Sequence, residues 1–439
     1  MSMDAQLSDT VAWLFGANPL REEAVEQRAR LLFLDTLGCM IAGLAKPEPR
    51  TLAQNLTALE PGGVKLPNAP ALSVGSAAYV AGLAACWDEA CEGLPRAHGR
   101  PGLHAFATAL ALGMAREHSL DETLHAMVAG FEVGGRMGEV LRISPGMHVD
   151  GTWGTFGAVT AAAHLLGLSP QTTMAALQGT ACQLPYSLYL PISQGATVRN
   201  TYVGEAARRA ISHVLAAQAG VSSPTGAIET FDQRALGTGS VAKTLAPVGE
   251  WLILQGYLKP FAAVRHVHYG AQAAIQWRGA QTDTRGIDSL ELSIYGEAMT
   301  YCGNRRPTTP IQAQFSLSYG LAWALYQGDL GPEAYHEDSL NNPEVRRLEA
   351  LVTIVEETAF TQANQRAARL RVNGAEILVD AVAGEPDYPL PMGQVEAKFV
   401  RYVAPVLGDI AARTAAQGIL QAPLATSLPT LLSNLNKQP

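Results

Sequence analysis

From Gly151 to Val198 the chain runs 48 residues without a single Asp, Glu, Lys or Arg. A stretch like that belongs in a protein core or in a bilayer. A spanning helix needs about 20 predominantly apolar residues in succession. Here Thr, Gln, Ser and Gly interrupt the apolar residues, and Pro170, Pro185 and Pro191 break the run. The stretch therefore reads as helices deep in a soluble core. Ser169-Pro170 marks one helix start, with Ser as N-cap and Pro at the first position. Arg199 ends the neutral run, and a lone Arg emerging from a core needs an anionic partner. Glu205 or a substrate carboxylate would serve.

The rest of the first 255 residues or so reads as helix after helix. Residues 21–44 start charged and become apolar without strand-like alternation. Residues 71–90, 102–117 and 121–141 are similar and rich in Ala and Gly, so closely packed helix axes are expected. Residues 200–219 form another helix. After about Gln255 the texture changes. Leu290 to Ile294 alternates with period two, as a half-buried strand does. Arg369 to Val379 is a strand, an Asn373-Gly374 turn and a second strand, because Asn-Gly tolerates the positive φ of a two-residue hairpin turn. Residues 313–327, 343–351, 393–404 and 407–418 return to helix. The expected fold is mainly α, with a large all-helical domain (1–258 and 406–439) and a smaller α+β domain (259–405).

Composition closes off several classes. The net charge is −8, from 31 Lys+Arg and 39 Asp+Glu, while 48% of residues are hydrophobic. That excludes intrinsic disorder, and the acidic balance argues against a nucleic-acid binder. An anionic ligand must then be held by a few local Arg or Lys residues. Five scattered Cys residues form no disulfide framework. With a start that lacks a basic, then apolar, leader, this sets the expectation of a cytoplasmic protein with no membrane partner.

No GxGxxG follows a strand; Gly237-Thr238-Gly239-Ser240-Val241-Ala242 is only a loose relative. There is no Walker loop, no GxSxG elbow and no second Cys pair to make Cys86 and Cys91 a zinc site. His266-Val267-His268 would put two rings on one face of a strand, but no carboxylate spacing supports a metal. No cofactor and no metal are expected.

Four segments gather polar groups among apolar or glycine-rich neighbours. In Cys86 to Gly102 a helix ends in Asp88, Glu89 and Glu92, and a Gly/Pro loop leads to His98. Asp88 and Glu92 share a face if the helix persists that far. Met147 to Gly157 carries His148 and Asp150 before a neutral helix, where Asp150 suits an N-cap. Val198 to Glu205 carries Arg199. Leu258 to His268 carries Lys259, Arg265, His266 and His268 at the domain junction. Tyr319 lies on an otherwise apolar helix. The inventory is carboxylates and imidazoles for proton transfer, with Arg and Lys for anions. It suggests proton removal next to a carboxylate, with the resulting negative charge held by fixed donors.

At these segments the sequence resembles the MmgE/PrpD family. The landmarks run in order: LFLDTLGCMIAGL around Asp35, Asp88 with His98 and Pro101-Gly102, Gly130-Phe-Glu-Val133, His148 before Gly151-Thr-Trp-Gly-Thr-Phe-Gly157, and Lys259-Pro-Phe-Ala-Ala-Val-Arg265 with His268. The family includes 2-methylcitrate dehydratase, cis-aconitate decarboxylase and iminodisuccinate epimerase, which act without metal on small di- and tricarboxylates. The resemblance implies a helical domain joined to an α+β lid, a site between them and a homodimer. It implies that Asp88, His98, His148, Lys259 and Tyr319 line the site as catalytic candidates. Arg199 stands where the decarboxylase has a Lys, and Glu92 where it has a Thr. With Arg265 and His268, these are the substrate-binding candidates. The expected function is proton abstraction alpha to a carboxylate of a small di- or tricarboxylate by a lyase. An epimerase of an amino-dicarboxylate, favoured by the extra charge of Glu92, stays open, as does a non-catalytic carboxylate-binding protein.

Overall fold

The computed structural model describes residues 2–237, 243–281 and 283–435. Most of the Gly237–Ala242 segment lies outside the described residues. The neutral stretch forms the buried helices Gly154–Leu165 and Pro170–Ala181 and the short helix Leu190–Gln194. Ser169 caps the second of these by accepting from the Thr172 N–H, and Pro170 opens it.

Helix Pro101–Ala115 runs through the middle of the helical part, buried from Pro101 to Gly113. Around it pack Val74–Cys86, Leu120–Val140, Gly154–Leu165 and Thr201–Gln218, with Glu23–Leu44 against Val74–Cys86. Small residues set the spacing. A Cβ added at Gly130 would meet the Gly157 carbonyl oxygen at 2.6 Å, so the helices carrying them touch backbone to backbone. A two-stranded ribbon, Pro61–Lys65 with Ala71–Leu72, edges this part and has no counterpart in the sequence reading.

The α+β part holds one mixed four-stranded sheet, in the order Val352–Glu356, Leu290–Ile294, Ala368–Val372, Ala375–Val379. The first pair is parallel and the other two antiparallel, with Leu292 opposite Ile354 and Leu370. Asn373 and Gly374 make the hairpin turn at φ 48° and 87°. Leu292 packs under helix Arg265–Ala280, while on the other face Arg371 ties Glu291 and Glu376 together. The expected helix over 313–327 is broken at Phe315 into Pro310–Gln314 and Leu317–Gln327. Helix Met392–Leu407, assigned from sequence to the α+β domain, packs against Glu23–Leu44 of the helical part. Lys398 holds the two parts together there: its Nζ donates to Asp35 Oδ1 (2.7 Å), to the Ala90 carbonyl (2.6 Å) and to the Lys259 carbonyl (2.8 Å). Among the described residues no helix is long and apolar enough to cross a membrane.

Candidate active site

A cavity of about 250 Å³ opens between the two parts. The helical part supplies Glu89, His98, Arg100, Arg142, His148, Asp150, Trp153, Tyr189 and Arg199, followed by Tyr257 and Lys259 at the junction. The α+β part supplies Arg265, His266, Glu297, Tyr301, Phe315 and Arg366. Six of these side chains are cationic and three are carboxylates, in a chain whose net charge is −8. The cavity is therefore positive where the protein as a whole is negative, which concentrates anions inside it.

At the inner wall the cations converge on Glu89. Helix Val74–Cys86 ends one turn before it, and Glu89 takes a left-handed backbone, φ 51°, that turns its side chain inward. Its Oε2 accepts from Arg199 Nη2 and from Arg100 Nη1 at 3.1 Å, and its Oε1 accepts from Lys259 Nζ at 2.7 Å. Burial alone would raise the Glu89 carboxyl, but Arg100, Arg199 and Lys259 outweigh it and hold it well below the usual range. Asp150 accepts from Arg100 Nη2. It too is held low against burial, chiefly by Arg100. Asp150 does not cap a helix: the next one begins at Gly154, behind Trp153. The partner of Arg199 is Glu89, not Glu205. The Arg199 guanidinium also lies over the Phe315 ring, 5.3 Å from its centroid, which joins the two walls.

Two imidazoles face the cavity from the helical side in different surroundings. His148 is buried, and its Nδ1 accepts the Asp150 backbone N–H at 3.0 Å. The accepting nitrogen carries no proton, so the neutral ring is protonated at Nε2. Burial lowers its pKa to about 4, with the Asp150 charge opposing. His148 is thus a neutral hydrogen-bond donor near pH 7. His98 sits at φ 53°, half exposed, with Nδ1 3.5 Å from Glu297 Oε1 across the boundary between the two parts. The neighbouring His98 is the main cause lowering Glu297 to about 2. A third imidazole, His266, stacks on Tyr301 and shares a 2.7 Å hydrogen bond with Tyr295 Oη. Burial brings it to about 3.

Of the nine residues singled out from sequence, the structure brings His98, His148, Arg199, Lys259 and Arg265 to this cavity. Arg265 is partnered there by Glu385 at 2.7 Å and lies over the Tyr257 ring. Asp88, Glu92, His268 and Tyr319 do not line it. The helix stops at Cys86, so Asp88 and Glu92 share no helical face. Asp88 turns to Lys46, 3.6 Å away. Glu92 accepts the Leu103 N–H at 2.9 Å, and burial pushes it to about 8. His266 and His268 open a helix rather than a strand, so their rings diverge; His268 Nε2 bonds the Ala263 carbonyl. Tyr319 Oη donates to the Ala334 carbonyl inside the α+β core. Sequence reading missed Glu89, Arg100, Glu297 and Arg366 as site residues. Glu89 and Arg100 lie inside the Cys86–Gly102 segment, whereas Glu297, in the first turn of helix Gly296–Cys302, and Arg366, in the loop before strand Ala368–Val372, come from distant parts of the chain with no local signature. Among the described residues no three His, Cys, Asp or Glu side chains are grouped to hold a metal ion.

A helical bundle and a capping α+β unit thus enclose a cleft lined by acid/base groups and an excess of cations. The MmgE/PrpD N-terminal domain matches residues 11–236 and the MmgE/PrpD C-terminal domain matches residues 261–421, so the chain belongs to the MmgE/PrpD family. Cis-aconitate decarboxylase of Aspergillus terreus is 24% identical, with 94% of this chain and 92% of the relative covered. Human cis-aconitate decarboxylase is 25% identical, with 74% of this chain and 71% of the relative covered. The cis-aconitate decarboxylase-like protein oryM of Aspergillus oryzae is 25% identical, with 87% of each covered. The chain is an enzyme of the lyase type that this family contains.

Proposed function

We propose that the protein is a cofactor-independent lyase that removes a proton from the carbon next to a carboxylate of a small di- or tricarboxylate. The observation that carries this reading is the pairing of two unlike imidazoles over one positive cavity. His98 is the base. Glu297 faces Nδ1, which keeps its proton, and orients the ring, leaving Nε2 free to accept a substrate proton. His148, neutral and protonated on Nε2, donates to the oxygen on which negative charge develops, and the surrounding cations stabilise that charge in a water-poor site. Collapse of the resulting carbanion expels hydroxide from the neighbouring carbon and leaves an alkene; where the bond broken is instead the one to a carboxylate, carbon dioxide leaves, the bonding pair stays on the carbon, and an acid of the site returns a proton to it. The relatives' names, two cis-aconitate decarboxylases and one cis-aconitate decarboxylase-like protein, support the lyase outcome. The epimerase alternative loses its support from Glu92, which lies outside the cavity.

The test is NMR of the enzyme with citrate, 2-methylcitrate, cis-aconitate or iminodisuccinate in D₂O. New alkene signals or released carbon dioxide support the proposal. Deuterium uptake without change of composition assigns an epimerase instead. Binding of these acids with neither exchange nor product makes the cleft a carboxylate-binding site.

A further inference from the structure

Three cations of the inner wall are already holding a carboxylate of the protein itself. Arg100, Arg199 and Lys259 converge on Glu89, and Arg100 spends its second arm on Asp150. A carboxylate arriving at the inner wall would find those donors taken and two resident anions beside it. The same wall carries two unmet polar atoms. Asp150 Oδ1 and Arg199 Nε are buried without a hydrogen-bond partner among the described residues. One lacks a donor and the other an acceptor, and leaving such buried atoms unpaired is unfavourable. A hydroxyl both donates and accepts. Elsewhere in the cavity, Arg142 pairs with no carboxylate among the described residues. Its Nη2 donates to the exposed Arg96 carbonyl. Arg366 approaches its carboxylate, Glu297, no closer than 3.7 Å. Arg142 and the loosely paired Arg366 are therefore the cavity cations least committed within the protein.

We propose that Glu89 is the specificity-determining residue of this site: with Asp150 it makes the inner wall a hydroxyl subsite closed to a third carboxylate, so the substrate is a hydroxy-dicarboxylate held by Arg142 and Arg366. This rests on the carboxylate chemistry proposed above and narrows it. Glu89 acts by neutralising its neighbours and takes no proton in the reaction.

Calorimetric titration with three probes on one carbon chain tests it. Glutarate has a plain central methylene, 3-hydroxyglutarate adds a hydroxyl there, and tricarballylate adds a carboxylate. The wild-type enzyme should bind 3-hydroxyglutarate most tightly and tricarballylate at least tenfold more weakly than 3-hydroxyglutarate. Glu89→Gln, which frees one positive charge, should improve tricarballylate relative to glutarate about tenfold or more, while Glu89→Asp should keep the wild-type order. The inference is overturned if the wild-type enzyme binds tricarballylate more tightly than glutarate, a measurement that needs no variant. It is equally overturned if folded Glu89→Gln leaves the ratio unchanged. Binding of none of the three by the wild type removes the carboxylate reading itself, and this inference with it.

Discussion

Replacing Arg199 by Lys separates two accounts of what that residue does. From sequence it is an anchor for the substrate; in the structure it is a brace for Glu89. Its Nη1 donates to the Asn200 side chain at 2.9 Å and to the Cys86 carbonyl at 3.3 Å while Nη2 holds Glu89. Lys keeps the charge but has one compact ammonium instead of a planar fork, so it can reach Glu89 or the Cys86–Asn200 pair and not both. Two buried hydrogen bonds are then lost, at about 1 kcal/mol each, with an added penalty for acceptors left unpaired. A loss of roughly 2–4 kcal/mol is expected. Removing the charge as well, in Arg199→Met, should cost about 3–5 kcal/mol because Glu89 loses one of its three cations in a buried setting. The assay is urea unfolding followed by tryptophan fluorescence, run beside steady-state kinetics. If Arg199→Lys unfolds at the wild-type urea concentration while KM rises tenfold, Arg199 is a direct substrate anchor and the brace is refuted.

Glu297→Gln removes the carboxylate that orients His98 and should lower kcat by about tenfold or more with little change in KM; a change confined to KM would count against the dyad. Acidification should destabilise the fold below neutrality. His148 binds a proton near pH 6.5 when unfolded but only near 4 when folded, so the unfolded chain holds more protons between those values. Stability contributed by the neutral ring is complete above about 6.5 and is lost as pH falls towards 4, by up to about 3 kcal/mol. Urea titrations of wild type and His148→Gln across that window should differ in slope, and parallel curves would exclude the effect. Gly138→Ala places a Cβ 2.6 Å from the Ala97 Cβ and 3.0 Å from the Trp153 ring. It should cost about 1–3 kcal/mol and reduce turnover by shifting the His98 turn; unchanged activity would show that the turn tolerates displacement. Tyr319→Phe removes a core hydrogen bond remote from the cavity and should cost about 1 kcal/mol in unfolding with kcat unaltered.

The helices were legible because their signals are local. Ser169-Pro170 marks a start through capping alone, and it holds. Asn373-Gly374 makes the hairpin for the same reason. Charge placement was legible only in part. That Arg199, leaving a neutral run, must meet an anion follows from the cost of burying a charge. Which anion depends on where the chain turns after Cys86. One residue of rotation there exchanges Asp88 for Glu89 at the inner wall, and no periodicity signals a left-handed residue. The ordered resemblance reached His98, His148 and Lys259 but also carried over Tyr319, whose hydroxyl is spent on Ala334. Glu297 and Arg366 were invisible because only the packing of the second part against the first brings them near His98.

The His98–Glu297 contact has a thermodynamic corollary. Each end belongs to a different part of the chain, and the opposing walls share whatever molecule lies between them. A ligand bound there works as a reversible clasp. Its binding energy is added to the association of the two halves, growing as RT ln(1 + [L]/Kd). Saturating ligand should therefore protect amides along the seam, including those of helix Met392–Leu407, from hydrogen exchange far from any atom it touches.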